Sequence, residues 1–196
     1  HKDSQGHSGK IKTGDVQWMT AGSGVIHSEM PEKEFSQKGG TLHGFQLWIN
    51  LPKKDKMMKP RYQDIPANKI PIAQNDGVKV KIIAGESMRE KAVIETRTPI
   101  MYLHFTLQPD SKVTQIIPQN YNAFAYVVNG EGLFGDKQIH AHKEQVILFG
   151  QDGNEITIRA SNDSSTPLDV LLIAGIPLGE PVARYGPFVM NTEDEI

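Results

Sequence analysis

Two side chains that can bind a metal, His27 and Glu29, stand two positions apart in the stretch AGSGVIHSEMPE. If this stretch forms a β-strand, the two side chains point to the same face, about 7 Å apart along the strand. An imidazole and a carboxylate so placed can bind one metal ion, and a facing strand could complete a set of three or four ligands. Gly22 and Gly24 allow a tight turn ahead of that strand. The spacing alone leaves a second interpretation open, because histidine and glutamate are also common on the solvated face of a strand.

Other histidines are candidates for the same chemistry. His140 and His142, in QIHAHKE, also stand two apart on a predicted strand. His104 shares a strand face with Tyr102 and Thr106, with apolar residues alternating between them, so we interpret it as a polar-face or interdomain residue. His43 lies at a strand entry, where we expect a structural histidine.

The composition restricts which metal sites and partners are possible. The chain has 196 residues, 21 basic and 23 acidic side chains, and 38% hydrophobic residues, enough for one good core or two small ones. This near-neutral balance gives no electrostatic reason to expect direct nucleic-acid or membrane binding, and no apolar run is long enough to span a membrane. The absence of cysteine excludes disulfides, thiolate metal sites and cysteine nucleophiles. A metal would therefore be bound by histidine, carboxylate and water, which favours iron, manganese, zinc or nickel.

Short apolar segments rich in β-branched and aromatic residues predict an all-β protein. Several alternate apolar with polar residues, and turn sequences such as NDG, QPDS and NGEG separate them. This spacing predicts an antiparallel sandwich or barrel. Residues 78–175 contain enough strands for one complete small barrel, whereas residues 1–51 contain only three or four. The predicted strands are 16–20, 24–28, 44–51, 78–84, 101–107, 113–117, 123–128, 145–149, 155–160 and 169–175.

The basic loop of residues 53–61 has more than one interpretation. The loop KKDKMMKPR carries Lys53, Lys54, Lys56, Lys59 and Arg61, and we favour a solvated linker over a surface that docks an acidic partner or a phosphate backbone.

At the other end of the chain, Thr192 and Glu195 have capping-box spacing, which predicts the start of a helix. We expect both ends to be cut from a longer chain, with a short acidic tail as the alternative for the last residues. For Trp18 and Trp48 we expect packing in the core or along the barrel lining.

Seven blocks in the same order resemble the pirin family over essentially the whole chain. The blocks are HKDSQG, GDVQWMTAGSGVIHSEMPE, GFQLWINLP, IAGES, TRTPIMYLHFTL, LLIAGIPLGEPV and YGPFVMN. The resemblance implies two antiparallel jelly-roll (cupin) β-barrels side by side, the N-terminal one incomplete here. The expected domains are residues 1–60, the C-terminal part of a metal-binding barrel; 61–76, a linker; and 77–196, a metal-free barrel.

The resemblance also assigns roles to the pair of residues in the first half. The stretch GSGVIHSE matches the second cupin motif, so His27 and Glu29 inherit the roles of metal ligands, and Glu29 could also act as a general base. Two further histidine ligands, a His-x-His pair, are expected upstream of residue 1. His140 and His142 cannot replace that pair, because they follow the NGEG turn whereas a first cupin motif precedes the equivalent turn.

The family resemblance implies two functions. One is a metal-dependent dioxygenase of the quercetin 2,3-dioxygenase type, with one divalent metal, usually iron and otherwise Mn, Ni, Zn or Cu, acting on a flavonol. The alternative is a non-enzymatic iron-binding transcription cofactor that contacts a protein regulator. A cytoplasmic or nuclear location is expected for either.

Overall fold

The computed structural model describes residues 1–4 and 6–196. Every strand pairing in this part of the chain is antiparallel, which confirms the all-β prediction. One short helix, α1 (Lys33–Lys38), and two 3-10 turns, Lys53–Asp55 and Ala67–Lys69, lie between the strands, and a third 3-10 turn, Glu193–Glu195, follows the last strand. The strands are β1 (Lys2–Asp3), β2 (Val16–Thr20), β3 (His27–Ser28), β4 (Arg61–Ile65), β5 (Ile72–Asn75), β6 (Val78–Ala84), β7 (Glu86–Ser87), β8 (Glu90–Lys91), β9 (Ile100–Leu107), β10 (Lys112–Ile116), β11 (Asn122–Asn129), β12 (Glu131–Phe134), β13 (Ile139–His142), β14 (Val146–Leu148), β15 (Glu155–Ala160), β16 (Leu168–Gly175), β17 (Ala183–Tyr185) and β18 (Phe188–Met190).

The chain divides into two compact units. Unit 1 contains residues 1–67 and 179–196, and unit 2 contains residues 68–178. The segment predicted as a linker, 61–76, contains β4 and β5, because each finds an antiparallel partner, β2 and β6 respectively. The predicted domain boundaries themselves stay a prediction.

Unit 2 is a two-sheet antiparallel sandwich. A six-stranded sheet has the order β14-β11-β16-β9-β6-β5, and a four-stranded sheet has the order β10-β15-β12-β13. Phe105 and Leu172 of the larger sheet and Phe134 and Ile158 of the smaller sheet belong to one buried cluster, each at most 1% exposed. The alternation predicted from the sequence is visible along β9, where Leu103, Phe105 and Leu107 are buried and the intervening residues are half-buried.

Unit 1 is held by short pairings of two strands each, β1 with β3, β2 with β4, and β17 with β18. Residues 44–51 were predicted as a strand, and this prediction is wrong: no strand of the described residues pairs with them. Without a ladder of hydrogen bonds an apolar segment does not become a strand. Its Trp48 is 63% exposed rather than packed in a core, with the guanidinium of Arg184 lying 5.7 Å from the ring centroid.

The end of the chain forms one 3-10 turn rather than the beginning of an α-helix. The capping interaction predicted from the spacing is present, since the backbone N–H of Thr192 donates to the Glu195 carboxylate at 3.0 Å. The backbone N–H of Asn191 donates to the same oxygen at 3.0 Å. These bonds lower the pKa of Glu195, with the Asn191 N–H contributing most.

The lysines of the basic loop, residues 53–61, differ in their exposure to solvent. Lys56 is only 5% exposed, and its ammonium donates to Asn50 Oδ1 at 2.7 Å and to the Val189 carbonyl at 3.2 Å. Burial lowers the pKa of Lys56, while the carboxylates of Glu180 and Glu195 oppose this shift. The two hydrogen bonds of Lys56 therefore connect the basic loop to other residues of unit 1.

Candidate metal centre

The candidate ligand His27 lies on β3 and Glu29 directly follows that strand, after the predicted glycine turn. Gly22 and Gly24 have φ of 53° and 111°, and a side chain at Gly22 would meet the Met58 carbonyl oxygen at 2.1 Å. The backbone N–H of Ser23 donates to that same carbonyl at 2.8 Å. The glycines are therefore needed both for the turn and for the close approach of residue 58.

Pairing of β1 with β3 brings an acidic residue opposite His27. Asp3 is its direct cross-strand neighbour, and directly opposed residues of an antiparallel pair project to the same face. The Asp3 side chain is fully buried, whereas His27 and Glu29 are exposed. Asp3 accepts from the backbone N–H of His7 at 2.8 Å, and its second oxygen lies 3.1 Å from His7 Nδ1. The short strand thus places a buried carboxylate next to one candidate ligand.

Glu29 has an oriented carboxylate. The side-chain amide of Gln46 donates to Glu29 Oε2 at 3.3 Å. Gln46 lies in the segment 44–51, so this segment contributes to the site although it forms no strand. The remaining oxygen of Glu29 is free of this bond, which leaves it as a candidate acceptor of a proton or a metal.

A tyrosine with a strongly shifted ionisation lies beside these groups. Burial raises the pKa of Tyr62 to about 12, and the carboxylates of Asp3, Asp64 and Glu29 add to the shift. The ring of His1 stacks on that of Tyr62 with centroids 5.0 Å apart and planes 8° apart. Tyr62 is therefore a protonated phenol at neutral pH.

Polar side chains of the paired strands β2 and β4 also lie near Tyr62. The side-chain amide of Gln17 donates to Asp64 Oδ1 at 2.9 Å and also contacts His1 Nδ1. Gln17 and Asp64 are cross-strand neighbours in the β2–β4 pair, as are Met19 and Tyr62. The polar face of this pair thus connects His1 and Tyr62.

The described residues supply two candidate metal ligands, His27 and Glu29, and not a complete set. In residues 1–4 and 6–196, no three His, Asp or Glu side chains are arranged to hold a metal ion together. The donor types of His27 and Glu29, imidazole and carboxylate, fit iron and its neighbours in the first transition row.

Four further histidines, His43, His104, His140 and His142, lie outside this group. His43 is exposed, with its ring 5.1 Å from that of Phe45, and the structural role predicted for it stays a prediction. His104 lies in unit 2 on the polar face of β9, as predicted, with Nε2 2.7 Å from Asp169 Oδ1. His140 and His142 are exposed on β13.

Sequence reasoning did not identify Asp3, Tyr62, Gln46 or Asp64 as neighbours of Glu29 and His27. They come from three separate segments, since β1 carries Asp3, the segment 44–51 carries Gln46, and β4 carries both Tyr62 and Asp64. The pairing of β1 with β3 places Asp3 opposite His27, and a side-chain hydrogen bond connects Gln46 with Glu29. The quoted block HKDSQG contained Asp3, but nothing in its spacing indicates the pairing with His27; Gln5 of that block lies outside the described residues.

Two family models match separate parts of the chain. A family model described as Pirin matches residues 1–49, and one described as Pirin C-terminal cupin domain matches residues 102–196. No helix of the described residues is long and apolar enough to cross a membrane.

Individual relatives match over the whole chain. A pirin-like protein of Solanum lycopersicum is 52% identical over all of this chain and 65% of its own length. A pirin-like protein of Arabidopsis thaliana is 49% identical, again over the whole chain and over 70% of its own length. The chain thus spans about two thirds of the length of these relatives.

A solved structure matches closely as well. The crystal structure of a quercetin 2,3-dioxygenase from Acinetobacter baumannii superposes on 99% of this chain and 66% of its own, with a TM-score of 0.91 and 38% identity. The resemblance in the seven sequence blocks and the cupin fold expected from it are both confirmed, and the chain belongs to the pirin family.

Proposed function

We propose that His27 and Glu29 are ligands of a single divalent metal and that the protein is a metal-dependent dioxygenase acting on a flavonol such as quercetin. The observation that carries this proposal is the oriented pair on and beside β3, with Glu29 bonded by Gln46 at 3.3 Å. The likeness in fold and sequence to a quercetin 2,3-dioxygenase supports the reaction class.

Iron is the metal we propose, with manganese, nickel, zinc and copper as alternatives. A neutral imidazole and a carboxylate suit all five, and the family resemblance adds two histidines from outside this chain. When bound, the metal would act as a Lewis acid that lowers the pKa of a coordinated substrate hydroxyl.

The chain's own residues would then orient and accept protons. His27 would bind through a ring nitrogen in its neutral form, the form in which an imidazole is a metal ligand. Glu29 would either stay a metal ligand through the oxygen that Gln46 does not hold, or leave the metal and take the proton from the substrate hydroxyl with that oxygen, acting as a general base. Tyr62 would remain protonated, because its pKa of about 12 lies far above neutral pH, and would supply a hydrogen-bond donor.

The test combines metal content and oxygen consumption in a protein that includes the upstream segment implied by the resemblance. We expect about one metal per chain and quercetin-dependent uptake of oxygen in the parent, with both lost in His27→Ala and Glu29→Ala. His43→Ala is the matched control, because His43 is an exposed histidine of the same unit outside the site. Full metal loading without flavonol turnover would exclude the dioxygenase function, and unchanged metal content in His27→Ala would exclude the ligand assignment.

The alternative function is a transcription cofactor that contacts a protein regulator, with a cytoplasmic or nuclear location for either function. Its supporting observation is the exposed part of the basic loop. Lys54 and Lys59 are exposed, with Met57 at 68% exposure between them, whereas Lys56 is buried. Lys54→Glu with Lys59→Glu therefore tests docking without disturbing the fold. Unchanged regulator binding in this double variant would remove the loop from consideration.

A further inference from the structure

The solvent face of the four-stranded sheet in unit 2 carries the chain's His-x-His pair. His140 and His142 flank Ala141 on β13, and Ala141 is 3% exposed whereas both histidines are exposed. Alternation along the strand therefore places both imidazoles on the outer face. Two residues two apart on a strand lie about 7 Å apart, close enough for two imidazoles to bind one ion.

A carboxylate on the neighbouring strand fixes the first imidazole. Glu131 of β12 lies directly opposite His142, and its Oε2 lies 3.2 Å from His140 Nε2. A carboxylate only accepts hydrogen bonds, so in this contact Nε2 of His140 carries the proton. In the neutral ring the lone pair is then on Nδ1.

A backbone carbonyl fixes the second imidazole. His142 Nδ1 lies 3.1 Å from the Lys143 carbonyl oxygen, which can only accept, so Nδ1 carries the proton and Nε2 has the lone pair. The backbone N–H of His142 donates to Gln145 Oε1 at 2.9 Å, which holds the end of β13. Both rings thus have one nitrogen bonded as a donor and the other available as a ligand.

We propose that His140 and His142 form an open two-histidine site for a divalent transition metal such as Ni²⁺, Cu²⁺ or Zn²⁺. Histidine ligands typically donate their other ring N–H to a carboxylate or a carbonyl, and both kinds of partner are present here. Water completes the coordination, which agrees with the absence of any three-residue ligand group in the described residues. Glu131 acts as a positioning residue through His140.

The surroundings of the pair permit a cation to approach. The His140 side chain is 55% exposed and that of Glu131 is 38% exposed. The nearest cation on the same row of the sheet, Arg159, is paired with Asp110, and Lys143 lies 3.8 Å from Glu144. The site belongs to unit 2 and is independent of His27 and Glu29.

The test follows backbone amide resonances while Ni²⁺ is added to the whole chain. The background is His27→Ala with Glu29→Ala, which removes the candidate centre in unit 1. We expect paramagnetic broadening centred on residues 131–134 and 139–143. His140→Ala and His142→Ala should each weaken this binding at least about tenfold, because a bidentate chelate becomes a single ligand.

Two further variants test whether Ni²⁺ binding depends on the contact between Glu131 and His140 and is specific to the pair on β13. Glu131→Gln should weaken Ni²⁺ binding less than loss of a ring does, because it retains a polar partner but loses the charge. His104→Ala is the matched control, since this histidine also lies on a strand of unit 2, and it should leave the broadening unchanged. The proposal would be overturned if broadening at residues 139–143 persisted unaltered in both His140→Ala and His142→Ala. It would also be overturned if the His27→Ala, Glu29→Ala background protein, with His140 and His142 intact, showed no broadening at these residues.

Discussion

At the scale of single residues, Tyr62 has the most perturbed ionisation of the candidate centre. Its pKa of about 12 lies above the ordinary value of 10.0 because burial and neighbouring carboxylates disfavour the phenolate. The folded state therefore gains stability from Tyr62 below pH 10 and loses it as the pH rises toward 12. We expect the ring resonance that disappears in Tyr62→Phe to titrate near 12.

The matched control for Tyr62 is Tyr185→Phe, since Tyr185 is 73% exposed in the same unit. Alkaline loss of stability should be smaller in Tyr62→Phe than in the parent, and unaltered in Tyr185→Phe. A midpoint near 10 for the Tyr62 ring would contradict the burial of its hydroxyl.

A second residue-scale prediction concerns Asp169. Burial alone would raise its pKa, but the hydrogen bond and charge of His104, the Thr106 hydroxyl at 3.0 Å and the charge of Lys81 together hold it below the ordinary value of 3.8. A lowered pKa contributes stability above pH 3.8 that is lost as the pH falls. Asp169→Asn should therefore cost about 1–3 kcal/mol near neutral pH.

Urea unfolding near neutral pH and again in acid checks this assignment. The difference in free energy of unfolding between Asp169→Asn and the parent should become smaller in acid, because the Asp169 carboxylate of the parent is then protonated and uncharged, like the asparagine amide. Asp163→Asn, on an exposed loop, should leave stability unchanged at both pH values. An equal cost at both pH values would show that the contact with His104 does not depend on the charge.

At the scale of elements, close strand approach in the smaller sheet depends on Gly132. A side chain there would meet the Arg159 carbonyl oxygen at 2.4 Å and Leu168 Cδ2 at 2.7 Å. Gly132→Ala should therefore cost about 1–3 kcal/mol through overpacking. Gly153→Ala is the control, because the atom nearest to the added side chain, the Glu155 carbonyl oxygen, would be 4.0 Å away. Thermal unfolding that shows equal stability for the two variants would contradict this account.

The strands that could be predicted are those whose alternation reflects a buried face. The sequence pattern matched β6 (Val78–Ala84) and β15 (Glu155–Ala160) residue for residue, because each packs one face on the core of unit 2. It missed β12, where the two glycines of NGEG indicated only a turn, and it wrongly predicted a strand at 44–51. The strand predicted around His140 and His142 is present as β13.

The candidate site was only partly predictable for a related reason. His27 and Glu29 belong to one short motif, so their resemblance to the family could be recognised from the sequence. Asp3 and Tyr62 reach the site through the pairings of β1 with β3 and β2 with β4. Register between distant strands is set by packing and turn geometry, which a single sequence does not display.

At the scale of the whole molecule, the hydrophobic core lies almost entirely in unit 2. Of the buried hydrophobic side chains among the described residues, Ala183 is the only one that belongs to unit 1. Since the resistance of a region to opening follows its buried apolar contacts, the two units should differ in amide exchange. We expect amides of β6, β9, β11 and β16 to exchange at least about tenfold more slowly than those of β2 and β4.

Leu103→Ala tests whether the two units open separately. Leu103 is fully buried in β9, so its truncation should lower the opening free energy of unit 2 amides by about 2–5 kcal/mol. Because unit 1 pairs its strands only within itself, protection of β2 and β4 should be unaffected. Val93→Ala, at a position 51% exposed, serves as the control and should change the amide protection of neither unit. Equal loss of protection in β2 and β9 after Leu103→Ala would instead mean that the molecule opens as one cooperative unit, with unit 1 dependent on the core of unit 2.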